Sequence, residues 1–328
     1  MKIFPILLFL AFSRQIIFGQ SAVADFSIPS QACLQERIQV SNLSNLTRHE
    51  WDFCQGDLAL TPSAAIVTTL PGNITTGIDI VSDGVNWFGF VASRDDNAII
   101  RLDFGPSLQS VPETTNLGNI SNVFNKPGDI KIVYDNGNWY GFVYGIDDPV
   151  ISRIDFGTDL ANTSLSPSPI TATPVVSGAG LSNGGFDMIR DGSSWVIAYI
   201  QNPSVSLVRL TSVTAIPATN DKLTGIPNTI GSGLTDITLV KNNGNFYAYV
   251  VAQNKTLERY SFGPEVFSIP IVDDLTASIP TGGRPYGITG GQDNGSHYLF
   301  ISTLEGYLYR VDLGTDLSQQ PVAGTDLG

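Results

Sequence analysis

Four aspartates, Asp79, Asp129, Asp187 and Asp236, stand at the head of successive apolar runs, and their type and spacing come nearest to a chemistry in this chain. Carboxylates converging from repeated units would hold a hard cation such as Ca2+, or a polar ligand, through their oxygens. The structural alternative, which we prefer, is that an aspartate at the same place in each unit accepts main-chain N–H bonds from the neighbouring unit and locks the array. A fifth unit carries Tyr286 and Gly287 at that place, so an unbroken ring of acids is not expected.

Two other sets recur. Arg101, Arg153, Arg209, Arg259 and Arg310 would make a ligand-binding circle, but the expected role is to bond turn carbonyls or to pair with Asp103, Asp155 and Asp312. Trp87, Trp139 and Trp195, with Phe246 in the fourth unit, would stack on sugar rings if exposed and fill the core if not. Turns of the Asp-Asn-Gly kind at Asp83, Asp135, Asp191 and Asp293 lack the further oxygens and closing glutamate of a calcium loop and are expected to be hairpin turns. The sequence shows no nucleophile elbow, no histidine placed beside a nucleophile and no phosphate-cradling loop, and His49 and His297 are isolated.

The elements that must position these residues are short strands. The segment GDIKIVYDNGNWYGFVYGIDDPVISRIDFGTDL, residues 128–160, holds three apolar runs separated by an Asn-Gly turn and an Asp-Asp-Pro turn, which predicts a three-stranded meander. Its third run recurs at each of the five arginines, which are 52, 56, 50 and 51 residues apart. A fourth run follows each: TTNLG at Thr114, TPVVSG at Thr173, NTIGSG at Asn228, ASIPTGG at Ala277 and PVAGTDLG at Pro321. Four strands in a period of about 50 residues predict an all-β fold, a β-propeller of four-stranded blades. Six blades are expected, five of them clear and one a divergent N-terminal unit, because EWDFCQGDL at Glu50 parallels RIDFGTDL at Arg153 one period ahead of Arg101. A five-bladed ring is the alternative.

Charged residues are only 14% of the chain, its formal charge is −13, and it holds 33 glycines and 19 prolines. An acidic, Ser/Thr/Asn-rich surface disfavours nucleic acid and anionic membrane as partners. Residues 1–20 read as a secretory signal peptide, with a basic start and an apolar run from Ile3 to Phe12 that Arg14 ends too early for a membrane span. Residues 21–63 read as the divergent N-terminal segment and 64–328 as the repeats. Export would let the two cysteines, Cys33 and Cys54, pair, and closing that loop would contribute about 3 kcal/mol.

The layout ADFSIP, a cysteine, an apolar run ending in SNLSN and then WDF, over residues 24–53, resembles a polycystic-kidney-disease (PKD) type domain of bacterial surface proteins. The repeated NWYGF, RxDFG and NLGN elements, at Asn138, Arg101 and Asn116, are similar to propeller regions in large exported proteins of gliding bacteria of the Bacteroidetes type. That resemblance implies a secreted or cell-surface location. The reading that follows is a non-catalytic module that binds or displays at the cell surface, needs no cofactor, and takes a surface or matrix polysaccharide, or a surface protein, as partner. A calcium-dependent hydrolase or lactonase built on the four aspartates, and a structural spacer of a larger adhesin, are the alternatives.

Overall fold

The structure is a computed structural model that describes residues 26–27, 41–42, 58 and 74–328, apart from 148–149, 163–169, 178–184, 219–220, 230, 232 and 294. The chain divides into two compact units, Met1–Gln55 and Gly56–Gly328. In the first, β1 (Phe26–Ser27) and β2 (Ser41–Asn42) pair antiparallel, with Phe26 opposite Asn42. The signal peptide, Cys33 and Cys54, and most of the PKD-like segment lie outside the described residues.

Among its described residues the second unit holds five four-stranded antiparallel sheets. The first is β3 (Thr75–Ser82), β4 (Trp87–Ser93), β5 (Ala98–Gly105) and β6 (Glu113–Gly118). The second is β7 (Pro127–Asp135), β8 (Asn138–Gly145), β9 (Val150–Gly157) and β10 (Thr171–Ser177). The third is β11 (Phe186–Asp191), β12 (Ser194–Gln201), β13 (Ser204–Leu210) and β14 (Lys222–Pro227). The fourth is β15 (Leu234–Asn242), β16 (Asn245–Ala252), β17 (Thr256–Gly263) and β18 (Ile271–Asp274). The fifth is β19 (Pro285–Asp293), β20 (Ser296–Thr303), β21 (Leu308–Gly314) and β22 (Thr325–Asp326).

These are propeller blades, and the described residues hold five rather than the six first expected. The fourth strands of the third and fourth blades also fall earlier than the Gly-rich runs suggested. β14 ends before Asn228 and β18 before Ala277, because the pairing continues outward from β13 and β17 as soon as the intervening turn allows.

Each pair of neighbouring blades shares one apolar cluster. Phe90 of the first blade meets Phe156 of the second with ring centroids 5.0 Å apart, amid Ile99, Ile130, Val143 and Ile154. Similar clusters join the second blade to the third, the third to the fourth and the fourth to the fifth. A strand alternates its side chains between two faces, so a central strand feeds two clusters, and the second, third and fourth blades are each stabilised by both neighbours. Burying one large aliphatic or aromatic side chain contributes about 1.5–3 kcal/mol. On the other face of the first blade, Val91, Ile100, Leu102 and Phe104 form a separate cluster with Trp87 packed against it.

Candidate functional site

The innermost strands β3, β7, β11, β15 and β19 line a cavity of about 260 Å³, and Asp79, Asp129, Asp187 and Asp236 all border it. They do not occupy one place. Strand register puts Asp79 opposite Phe90 and Asp187 opposite Ala198, the third residue after the leading Trp of β4 and β12. Asp129 is opposite Tyr144 and Asp236 opposite Val251, two positions farther along. The aspartates therefore form two tiers. One tier reads Gly77, Asp129, Gly185, Asp236, Gly287 around the ring, and the other reads Asp79, Lys131, Asp187, Thr238, Thr289. The same offset stands in the sequence, where Asp79 and Asp187 precede their leading aromatic by eight residues and Asp129 and Asp236 precede theirs by ten.

In the first tier Asp129 and Asp236 each sit against a glycine of the preceding blade, whereas in the second Asp187 meets Lys131 and Thr238. A Cβ on Gly77 would lie 2.6 Å from both Cα and Oδ1 of Asp129, and one on Gly185 would lie 1.8 Å from Oδ1 of Asp236. Each aspartate then reaches across to the next blade. Asp79 Oδ2 accepts the N–H of Ile132 at 2.6 Å, Asp129 Oδ2 that of Phe186 at 3.3 Å, Asp187 Oδ2 that of Leu239 at 2.8 Å, and Asp236 Oδ2 that of Ile288 at 2.8 Å. The Oδ1 of each accepts the N–H of the residue that follows it. One latch thus joins each of the four described blade pairs.

The electrostatics follow from this enclosure. Burial pushes the carboxyls of Asp79 and Asp236 above the usual range and that of Asp129 up to about 7, against the lowering effect of the N–H bonds they accept. Lys131 lies among the four acids, its Nζ 3.1 Å from Asp187 Oδ1, and this carboxylate above all holds its ammonium above the ordinary lysine value. Ca2+ takes six to eight oxygens. The aspartate oxygens here already accept main-chain N–H bonds and the centre holds an ammonium, so these residues do not fit a calcium ion. Sequence reasoning missed Lys131, because it does not repeat and sits where two of the other blades carry the aspartate.

The aromatic set is also resolved by register. Each leading ring residue pairs with a residue in the last two positions of the inner strand: Ser82 with Trp87, Tyr134 with Trp139, Arg190 with Trp195, Lys241 with Phe246 and Gln292 with His297. Trp195 is buried under the Arg190 guanidinium, 5.8 Å from its ring centroid, and Phe246 is covered by Lys241 at 4.3 Å. Trp139 is half-buried and meets the exposed Tyr134, with ring centroids 4.8 Å apart. Trp87 is half-buried against the separate cluster of the first blade. The three tryptophans therefore do not make a common stacking surface, and core packing accounts for most of each ring.

The arginines hold the next blade. Arg101 Nη1 donates to the carbonyls of Leu160 and Asn162 at 2.9 and 2.7 Å, while its Nε pairs with Asp103 Oδ1 at 2.7 Å. Arg153 repeats this with Val213 and Asp155, and Arg259 with Leu317 and Gln319, although its acid partner is Asp273 on β18. Arg310 Nη1 donates to the carbonyl of Leu58, whose N–H donates to Asp293 Oδ2. Leu58 thus takes beside the fifth blade the place that Leu160 and Leu317 take beside the first and fourth.

No family model matches this sequence, and no curated protein matches it. Solved structures do. The chain is similar to the six-bladed β-propeller lectin of Aleuria aurantia, a fungal lectin described by its fucose recognition, with a TM-score of 0.51 at 10% identity over 77% of this chain and 78% of that one. The fold is a β-propeller. A second similar structure is a glycoside hydrolase of the GH43_1 group from Xanthomonas citri complexed with xylotriose, with a TM-score of 0.49 at 12% identity over 74% of this chain and 86% of that one. At such identities the likeness concerns the fold alone.

Proposed function

We propose that this chain is a secreted or cell-surface propeller that binds a neutral surface or matrix polysaccharide and does no chemistry on it. The observation that carries this reading is the bonding of the four channel aspartates. The acids that would build a cation-dependent hydrolytic site instead accept main-chain N–H groups of neighbouring blades. With the channel assigned to ring assembly, recognition falls to the outer faces, where the low charge content and Ser/Thr/Asn-rich loops supply neutral hydrogen-bonding groups. The apolar N-terminal run and the resemblance to exported proteins of gliding bacteria support the location, and the fungal lectin gives an example of this fold serving a saccharide.

Incubation of the whole chain with a glycan array and with insoluble polysaccharides tests the reading. Retention on at least one neutral polymer is expected, and no retention on any of them would overturn it.

A further inference from the structure

On the outer side, two of the arginine grips border a cleft between one blade and the loop of the next, and in both the residue that follows the gripped leucine is small. Between the fourth and fifth blades this residue is Ser318, and the cleft has about 550 Å³. Its floor is Arg259, 4% exposed, which donates to the carbonyls of Leu317, Ser318 and Gln319 and to Asp273 Oδ2. Asn245, Tyr247 and Ser261 line its wall, and Ile269 and Ile271, 87% and 71% exposed, form an apolar rim.

The same cleft recurs between the first and second blades, at about 420 Å³, where this residue is Ala161. Asn86, Phe88 and Phe104 line it, with Asp103 and Glu113 paired across β5 and β6 and Val111, 76% exposed, at the rim. Between the third and fourth blades the equivalent residue is Phe267, and its ring lies 4.4 Å from the Arg209 guanidinium carbon. The side chain that is small at Ala161 and Ser318 here fills the opening over the arginine.

We propose that the clefts at Ser318 and Ala161 are two saccharide sites, each for a terminal neutral pyranose, and that Phe267 closes the corresponding place between the third and fourth blades. This deepens the polysaccharide-binding reading and rests on it. Both volumes fall in the range of small-ligand sites, and each cleft combines an apolar rim with a few convergent polar groups. The arginines are committed to carbonyls and carboxylates, and acids flank them, so an anionic sugar would meet repulsion without a free cation. Sugar hydroxyls would donate to Asp273, or to Asp103 and Glu113, and the C–H face of the ring would lie on Ile269 and Ile271, or on Val111.

Titration calorimetry with the methyl glycosides of galactose, glucose, mannose, fucose and xylose tests this. At least one should saturate the whole chain at two equivalents. Ser318→Phe and Ala161→Phe, both at exposed positions, should each leave one equivalent, and the double variant should bind more than tenfold more weakly, with the melting temperature kept. Phe267→Ala should bind a third equivalent. If both filled variants bind as the parent does, the clefts are not the sites, while the polysaccharide reading stands. A chain retained on a polymer but giving no heat with any of the five glycosides overturns the terminal-pyranose assignment alone. Loss of both retention and heat overturns both.

Discussion

Arg310 Nη1 donates to the carbonyl of Leu58 at 3.2 Å, across 252 residues of sequence. The bond repeats between the end and the beginning of the chain what Arg101 and Arg259 do between consecutive blades. It makes the stability of the fifth blade depend on a residue that precedes the first.

Removing an arginine grip should leave buried carbonyls and a carboxylate unpaired. Arg259→Ala is expected to destabilise by about 3–5 kcal/mol, since a buried charged partner is lost. Arg310, half-buried, should cost less when replaced by Ala. Thermal unfolding of the two variants ranks them, and an Arg259→Ala protein melting with the parent would refute the grip.

The two-tier arrangement predicts that Gly185→Ala is severe, because its Cβ would fall 1.8 Å from Asp236 Oδ1 at a blade junction. We expect at least about 3 kcal/mol of lost stability or failure to fold. Gly89→Ala, whose Cβ would come no closer than 3.3 Å to a side-chain atom, should be milder. Equal melting temperatures for the two would contradict the tiers.

Asp129 has a folded pKa raised to about 7, above its unfolded value near 3.8. A carboxyl raised in the folded state contributes stability that is fully present below the unfolded value and is lost as pH rises through the folded one. The protein should therefore melt higher at pH 5 than at pH 8, by roughly 5–10 °C. Asp129→Asn should reduce that difference, leaving the part due to Asp79 and Asp236, whose carboxyls burial also raises. Melting curves across this pH window decide the matter, and an unchanged slope in the variant would remove Asp129 as its source.

Millimolar Ca2+ should leave the melting temperature unchanged, because the channel carboxylates accept N–H bonds and surround the Lys131 ammonium. A clear rise with Ca2+ that a chelator reverses would restore a metal site there.

The sequence by itself determined the blade. The Asn-Gly turn before Trp139 and the alternating runs around it specify a hairpin through local backbone geometry, and recurrence at the five arginines carries that pattern through the chain. The latch role of the aspartates and the carbonyl-bonding role of the arginines were legible for the same reason, since repetition of a polar residue signals a repeated junction. The tier each aspartate occupies is written in its spacing of eight or ten residues to the leading aromatic. What repetition could not show is what faces each tier, since Gly185 and Lys131 acquire meaning only when blades from distant parts of the chain face one another. Leu58 was legible as a copy of Leu160, yet its partner, Arg310, was not, because the fold brings the start of the repeats beside the fifth blade, a meeting that no local pattern specifies. The open and filled clefts at Ala161, Ser318 and Phe267 were likewise decided by the tertiary structure, for a side chain's size matters only once the space above the preceding blade's arginine is defined.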